Sequence, residues 1–434
     1  MTDPSTQRSP IALFRNPEFL ALASVRFVSG MAFATIIIAL ALYADLFEAS
    51  GIAAGLFGSV YAIVRLVLVL PLGRKIDLGN SKRYLLLGLF LNVLLFLGLM
   101  LVESLVHVIF LRGFQAIGAV ILWITGVAVV GEISPDDSRG LWIGTYNQAR
   151  SIASLGGDLV GGALLFVYGF TTTYAVLIGL TLIATAMVYV FLRDDPGTRA
   201  DPDEATGVET LIRLLKRRAV LALVMFRFSF SFGKMAVVLF LPIYARTQFG
   251  MNAFLIGGIL AGGKLTKGLT QGYVGELSDR VGSEEWFIVA GTASYALGTA
   301  LIPGAVFASM VLEPVVLAGI GQEITLVPGF FFLFVAYGIL GIADSLRIPP
   351  SMALFVEEGE YFDSVAGSLS LRSVSWQVGA IIGPVVVGAM FDHVSYFGGF
   401  WLAAGLVVVA GVVLIALYEP EAAPDATTAP AVDD

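Results

Sequence analysis

Residues 20–30 read LALASVRFVSG, and a similar stretch, LALVMFRFSFS, stands at residues 221–231. The two copies, a shift of 201 positions apart, share Leu20, Ala21, Leu22, Arg26 and Phe27. Each copy places an arginine inside a long apolar run of the kind that crosses a lipid bilayer. The stretch therefore predicts a membrane fold, an internal duplication and a buried positive charge in each half.

The composition supports the membrane fold. Of 434 residues, 57% are hydrophobic and 13% are charged, about half of the roughly 25% charged residues of a soluble domain. Apolar runs recur that match the length of about 20 residues needed to cross hydrocarbon. We therefore expect an all-α integral membrane protein that contacts the lipid bilayer and contains no catalytic site. With no cysteine and only two histidines, no metal site or other cofactor is expected, and no nucleic-acid partner is indicated.

The apolar runs predict twelve transmembrane helices. They lie at about 18–46, 52–73, 83–103, 105–131, 142–168, 173–193, 219–245, 253–275, 285–307, 329–355, 365–391 and 397–418. Segment 308–328 is also apolar, but Pro314 and Pro328 interrupt it. We predict a long loop there, with room for a re-entrant or surface helix.

A charged stretch, DDPGTRADPDEATGVETLIRLLKRR at 194–218, divides the chain near its middle. We expect an N-terminal six-helix bundle at 1–193, a cytoplasmic central loop at 194–218, a C-terminal six-helix bundle at 219–418 and an acidic cytoplasmic tail at 419–434. Fourteen basic residues fall in loops on one side and a single one on the other. This bias predicts a multi-pass protein of the cell membrane with both termini in the cytoplasm. Within the loop, TLIRLLKRR at 210–218 predicts a short amphipathic helix, and a monomer is expected.

The duplication extends well beyond the opening stretch. At shifts of 201, 202 and 222, pairs recur at Tyr43 and Tyr244, Arg65 and Lys267, Gly73 and Gly275, Asp77 and Asp279, and Arg150 and Arg372. The chain is thus predicted to contain two parallel six-helix halves. This is a known plan of secondary transporters, which place the substrate site between the halves.

Two loop motifs carry a resemblance to the major facilitator superfamily. GELSDRVG at 275–282 resembles the superfamily motif that follows the eighth span, with matches at Gly275, Asp279, Arg280 and Gly282. GRKIDLGN at 73–80 matches less completely, at Gly73 and Asp77. The sequence is identified as a member of this superfamily, and the resemblance implies a gating role for these residues.

Three further resemblances point to different branches of the superfamily. RGFQAIGA at 112–119 resembles the Arg-x-x-Gln motif, which in drug:proton antiporters implies proton coupling by Arg112. GDLVGG at 157–162 resembles the antiporter Gly-Pro-x-x-Gly-Gly motif, with Asp158 in place of proline. Organophosphate:phosphate antiporters use a symmetric arginine pair in spans one and seven, which resembles Arg26 and Arg227.

Charges within the predicted spans are strongly unbalanced. The predicted spans contain ten basic residues but only two acidic residues, Asp158 and Asp344. Six of the bases form three repeat-related pairs at a similar depth, about 12 Å from the cytoplasmic edge at 1.5 Å per residue. The predicted substrate-binding residues are Arg26, Arg227, Arg65, Lys267, Arg150, Arg372, Lys234 and Lys264. Their guanidinium and ammonium groups suit an anion, although gating ion pairs or snorkelling to lipid headgroups would also explain them.

Asp158, Arg112 and Asp344 are the candidates for proton coupling. The alternative for Asp344 is a local structural pair with Arg347, three residues on, and the alternative for Asp158 is a permanent pair with Arg112 or Arg26. We predict a secondary active permease that moves a small organic or phosphorylated anion by alternating access, with proton coupling as an option. The alternatives are a multidrug:proton antiporter and, ranked lower, a non-transporting sensor or assembly protein.

Overall fold

The computed structural model describes residues 10–77, 79–135, 137–194, 208–282, 284–318, 323–361 and 364–418. Seven helices form the first half: α1 Pro10–Leu13, α2 Pro17–Leu46, α3 Gly51–Asp77, α4 Ser81–Met100, α5 Leu105–Ile133, α6 Arg139–Gly156 and α7 Gly162–Phe191. Seven more follow: α8 Val208–Leu215, α9 Arg218–Phe249, α10 Ala253–Val281, α11 Glu284–Leu301, α12 Pro328–Glu360, α13 Val365–His393 and α14 Tyr396–Leu417. The predicted all-α membrane fold of two six-helix bundles is confirmed.

Side-chain caps fix where several spans begin. The Asn16 carboxamide oxygen accepts hydrogen bonds from the backbone N–H groups of Glu18 and Phe19, at 2.9 and 3.2 Å. Asn80 and Asn252 cap α4 and α10 in the same way. Because the first N–H groups of a helix have no partner within it, these caps satisfy donors that would otherwise be lost near the membrane.

The fifth and sixth predicted spans, 142–168 and 173–193, form one continuous helical stretch from Arg139 to Phe191. A five-residue π-helical segment, Gly157–Gly161, joins α6 to α7. The break between the spans lies at Gly169, whose φ of 73° only glycine adopts easily. Ten described stretches are long and apolar enough to cross a membrane; this one holds two spans, and α10 adds the twelfth.

The segment after α11 contains a short hairpin. Residues Ile302–Met310 form a 3₁₀ helix, and β1 (Val315–Ala318) pairs antiparallel with β2 (Glu323–Leu326). The described part of the long loop predicted at 308–328 thus holds a hairpin, and its helical residues end at Met310. Because open strand edges are not tolerated in hydrocarbon, the hairpin belongs outside it.

The predicted amphipathic helix in the central stretch is confirmed as α8. Its apolar face packs onto the protein, where Leu214 is buried in a cluster with Val220 and Leu371. Helix α8 is therefore packed against α9 and α13 of the second bundle.

Candidate functional site

A cavity of about 790 Å³ lies between the two halves. Its volume falls within the range of roughly 300–1,000 Å³ that is typical of small-molecule sites. Helices α2 and α6 and the π-helical segment line it from the first half, and α9, α10, α11 and α12 from the second. Its charged lining residues are Arg150, Asp158, Lys234, Lys264, Lys267 and Asp344. All six were predicted as site residues from the sequence.

The cavity is closed at the end where α3 begins and α13 ends. There the Asp392 carboxylate, on α13, accepts hydrogen bonds from the backbone N–H groups of Gly51 and Ile52, at 2.5 and 2.9 Å. Arg246 Nε on α9 lies 2.8 Å from Asp45 Oδ2 on α2. At the other end the lining extends to Gly144 and Gly272, both exposed. The cavity therefore opens toward the face where α2 begins and α14 ends.

One ion pair joins the halves beside the cavity. Asp158 lies in the π-helical segment and is completely buried, and its Oδ2 is 2.5 Å from Lys264 Nζ on α10. The same ammonium donates to the hydroxyl and the carbonyl oxygen of Ser154, at 2.7 and 3.2 Å. π-helical turns frequently occur at functional sites because they displace side chains from regular helical register. Asp158 pairs here with Lys264, and not with Arg112 or Arg26, the partners considered from the sequence.

The second buried acid, Asp344, is held by two cations. Lys234 on α9 donates to its Oδ2, and Arg347 Nη2 lies 2.6 Å from its Oδ1. Arg347 is 1% exposed, and its guanidinium carbon lies 3.3 Å from the ring centroid of Phe230. The local pair between Asp344 and Arg347 is confirmed. Lys234 on α9 is a second partner of Asp344. The spacing between Asp344 and Arg347 could not predict it, because Lys234 lies on a different helix.

The first half holds a second, smaller cavity of about 60 Å³, lined by Arg26, Arg65 and Arg150. Arg26 Nη2 donates to Asn147 Oδ1 at 2.9 Å. The Arg65 guanidinium lies over the ring of Trp123, 5.0 Å from its centroid. Arg150 is the predicted residue that lines both cavities.

The arginine of the Arg-x-x-Gln motif is buried beside this small cavity. Arg112 Nε donates to the Phe57 carbonyl oxygen at 2.8 Å, and its Nη1 donates to Gln115. Its guanidinium also lies over Tyr61, 4.6 Å from the ring centroid. These contacts join α5 to α3 and place Arg112 within the first half.

The predicted arginine clamp is not assembled around the central cavity in this structure. Arg26 lines the small cavity of the first half. Arg227 lies over the indole of Trp376, 4.1 Å from its centroid, and Arg372 lies on the same helix as that indole, α13. The described structure therefore brings Lys264 and Lys267 together with Arg150, whereas the arginines of spans one and seven stay within their own bundles.

The predicted gating motif lies at the ends of α3 and α10. Gly282 ends α10 in the left-handed region, with φ of 68°, and Arg280 Nη2 lies 2.5 Å from Glu276 Oε1 one turn earlier. Gly73 and Gly275 lie in the last turns of their helices. The side chains of Asp77 and Asp279 lie outside the described part of the structure, so the gating role stays a prediction.

Sequence reasoning missed the ion pair between Asp45 and Arg246. The signal was present, because the shift of 201 that relates Tyr43 to Tyr244 also relates Asp45 to Arg246. Equivalent positions carry opposite charges and meet across the approximate symmetry axis. Asp392 gave no such signal, because its partners are backbone N–H groups.

The paired bundles, the cavity between them and its buried charges define a multi-pass membrane transporter of small molecules. The family description of the Major Facilitator Superfamily matches residues 22–330 and 265–433, and the chain belongs to this family. An uncharacterised MFS-type transporter of Methanocaldococcus jannaschii is 21% identical over 377 residues, which cover 86% of this chain and 91% of that protein.

Two further similarities agree with this assignment. The multidrug resistance protein MdtG of Salmonella arizonae is 24% identical over 285 residues, which cover 65% of this chain and 64% of that protein. The fold is similar to a bacterial homolog of the human lysosomal transporter Spinster in an inward-facing and unoccupied conformation. The TM-score is 0.70 at 15% identity, over 93% of this chain and 95% of that chain.

Proposed function

We propose that the protein moves a small organic or phosphorylated anion through the central cavity by alternating access. The observation that carries this proposal is the balance of charge around the cavity. Four cations line it against two acids, and both acids are held in ion pairs. Lys267 and Arg150 form no ion pair with an acid in the described part of the chain. Because unpaired cations are costly within a membrane, they favour a negatively charged ligand.

The transport cycle follows from where the halves touch. The bundles, 1–193 and 219–418, rock about the cavity, with 194–218 as their connection and both termini in the cytoplasm. The contacts of Asp392 and of the Asp45–Arg246 pair then break when the opposite face opens. The exposed ion pair contributes about 0–1 kcal/mol, so these contacts can break and form again at ordinary temperature.

Proton coupling is assigned to Asp158. An anion that binds Lys264 competes with the Asp158 carboxylate for the same ammonium, and a buried carboxylate without a partner favours its protonated form. Arg150 on α6 and Tyr337 on α12 line the same cavity as Asp158. Anion and proton would therefore enter the cavity together, with no charge left uncompensated.

A multidrug:proton antiporter is the second candidate. The similarity to MdtG and the buried contact between Arg112 and Gln115 favour it. A lipophilic cation would meet mostly positive groups in the central cavity, which is why we rank this candidate second.

Transport by purified protein in liposomes tests the proposal. Labelled sugar phosphates, organic carboxylates and lipophilic cations are offered with and without a pH gradient. We expect anion uptake that falls at least tenfold in Lys267→Gln and in Arg150→Gln. Arg74→Gln, which removes an exposed arginine at the end of α3, is the matched control and should leave uptake unchanged. Uptake of cations alone, unaffected by the two cavity variants, would overturn the proposal.

A further inference from the structure

The small cavity of the first half adjoins the transport cavity, and Phe33 and Arg150 line both. It lies among α2, α3, α4, α5 and α6, and its polar lining includes Asn92 and Gln115 beside the three arginines. A cavity needs a volume of at least roughly 10–15 Å³ to hold one water molecule. About 60 Å³ therefore admits a few waters or one small ion, and it is too small for a sugar phosphate.

Positive charge in this cavity lacks an opposite charge. Arg26, Arg65 and Arg150 all line it, and the lining residues include no aspartate or glutamate. Arg26 Nη2 donates only to a neutral acceptor, Asn147 Oδ1. Because cations within a membrane are costly without a counter-charge, these three arginines call for an anion that the lining residues do not supply.

The arginines here are stabilised only in part by neighbouring rings. Arg26 lies over Tyr146 at 5.1 Å from the centroid, and Arg65 lies over Trp123 at 5.0 Å. Ring faces attract cations, but they accept few of the hydrogen bonds that guanidinium groups donate. In the second half, by contrast, Asp344 supplies a carboxylate to two buried cations. The described part of the first-half cavity has no equivalent acid.

We propose that this cavity binds one small inorganic anion, a halide or a small oxyanion, held by Arg26, Arg65 and Arg150. The anion supplies the negative charge that Asp344 supplies to the other half. It stays within one bundle, so it does not need to move with the transported solute. Arg150 also lines the transport cavity, so Arg65, which lines only the small cavity, separates this assignment from the proposed function.

Thermal unfolding of the purified protein in detergent tests the site. Chloride and phosphate are titrated against gluconate, which is too large for the cavity, at constant ionic strength. We expect a saturable rise in Tm of roughly 3 °C or more when the anion reaches 100 times its dissociation constant. A response to chloride alone identifies a halide site, and a response to phosphate alone identifies an oxyanion site. Either result supports the proposal.

Matched variants show whether the effect belongs to this cavity. Arg65→Gln should lose the anion-dependent rise, whereas Arg74→Gln, on the same helix but exposed, should keep it. Lys264→Gln, which alters the transport cavity, should also keep the anion-dependent rise. The anion site can therefore be tested even if the transport proposal fails. If Arg65→Gln does not fold, equilibrium dialysis of wild-type protein with ³⁶Cl⁻ and ³²P-phosphate shows whether the protein binds an anion. No bound anion, or an unchanged rise in Arg65→Gln, would overturn the proposal.

Discussion

We expect that changing a single ion pair raises the population of transporter open at the closed face. Arg246 Nε lies 2.8 Å from Asp45 Oδ2, and both side chains are about one third exposed (32% and 37%). At that exposure the pair contributes at most about 1 kcal/mol, since solvent screens it. One kcal/mol corresponds to roughly a fivefold change in an equilibrium constant. We therefore expect Asp45→Asn to raise the population open at this face about fivefold.

Charge reversal strengthens the test, because the two positions are related by the internal repeat. Asp45→Arg places like charges together, which costs roughly 1–4 kcal/mol at 4 Å between the dielectric constants of water and a protein surface. The double variant Asp45→Arg with Arg246→Asp restores an opposite pair at the same two positions. The open population should rise further in the single reversal and return to the wild-type level in the double variant.

A single introduced cysteine can report the population open at this face. The chain contains no cysteine of its own, so no other residue of the protein reacts with a thiol reagent. Val238 lines the central cavity, so Val238→Cys is labelled in intact cells with a membrane-impermeant maleimide. The labelling rate should follow the open population. Glu103→Gln, which removes an exposed acid at the same face, is the control and should not change the rate. Equal rates in all charge variants would refute the gating role of the pair.

Three further changes test other parts of the account. Gly257→Ala should lower Tm and the population closed at this face, because an added Cβ would collide with the Asp158 carbonyl oxygen of the other half. The expected cost is about 1–3 kcal/mol. Gly258→Ala, whose added Cβ would make only an ordinary van der Waals contact, should leave both quantities unchanged. Arg347→Met should lower the free energy of unfolding by about 3–5 kcal/mol, the cost of breaking a buried ion pair. Arg280→Gln, which breaks an exposed ion pair, should change Tm little. Equal losses of stability in the two variants would contradict the claim that burial makes the Arg347 pair important. Asp158→Asn should abolish the stimulation of uptake by a pH gradient while anion exchange continues, and a retained gradient response in liposomes would remove Asp158 from the coupling step.

The architecture could be predicted from the sequence because it depends on local and repeated signals. Apolar length predicts each span, and the recurrence of Arg26 as Arg227 reveals the two halves. The exceptions arise where the local signal is ambiguous. Gly169 ends a span without a polar loop, and the apolar residues of β1 suit a strand outside the membrane as well as a helix within it.

The site was predicted in composition but not in arrangement. Lys264 and Lys267 share a face of α10, which the spacing of three residues predicts correctly. Which acid meets which base depends on helix rotation and on contacts between the halves. Asp158 and Lys264 are 106 positions apart, and no periodicity relates them. Equal depth in the membrane made Arg26 and Arg227 plausible partners, but depth does not specify the direction in which a side chain points.

The positive character of the central cavity is the central claim, and thiol chemistry tests it most directly. Gly268 lines the cavity, and an added Cβ there meets no atom within 4 Å, so Gly268→Cys fits without distortion. Its reaction rates with a negatively and a positively charged methanethiosulfonate are each normalised to the rates of a free thiol in solution. The account predicts a preference for the anionic reagent of about tenfold or more, as a charged cleft concentrates the opposite charge. A normalised preference for the cationic reagent would contradict it.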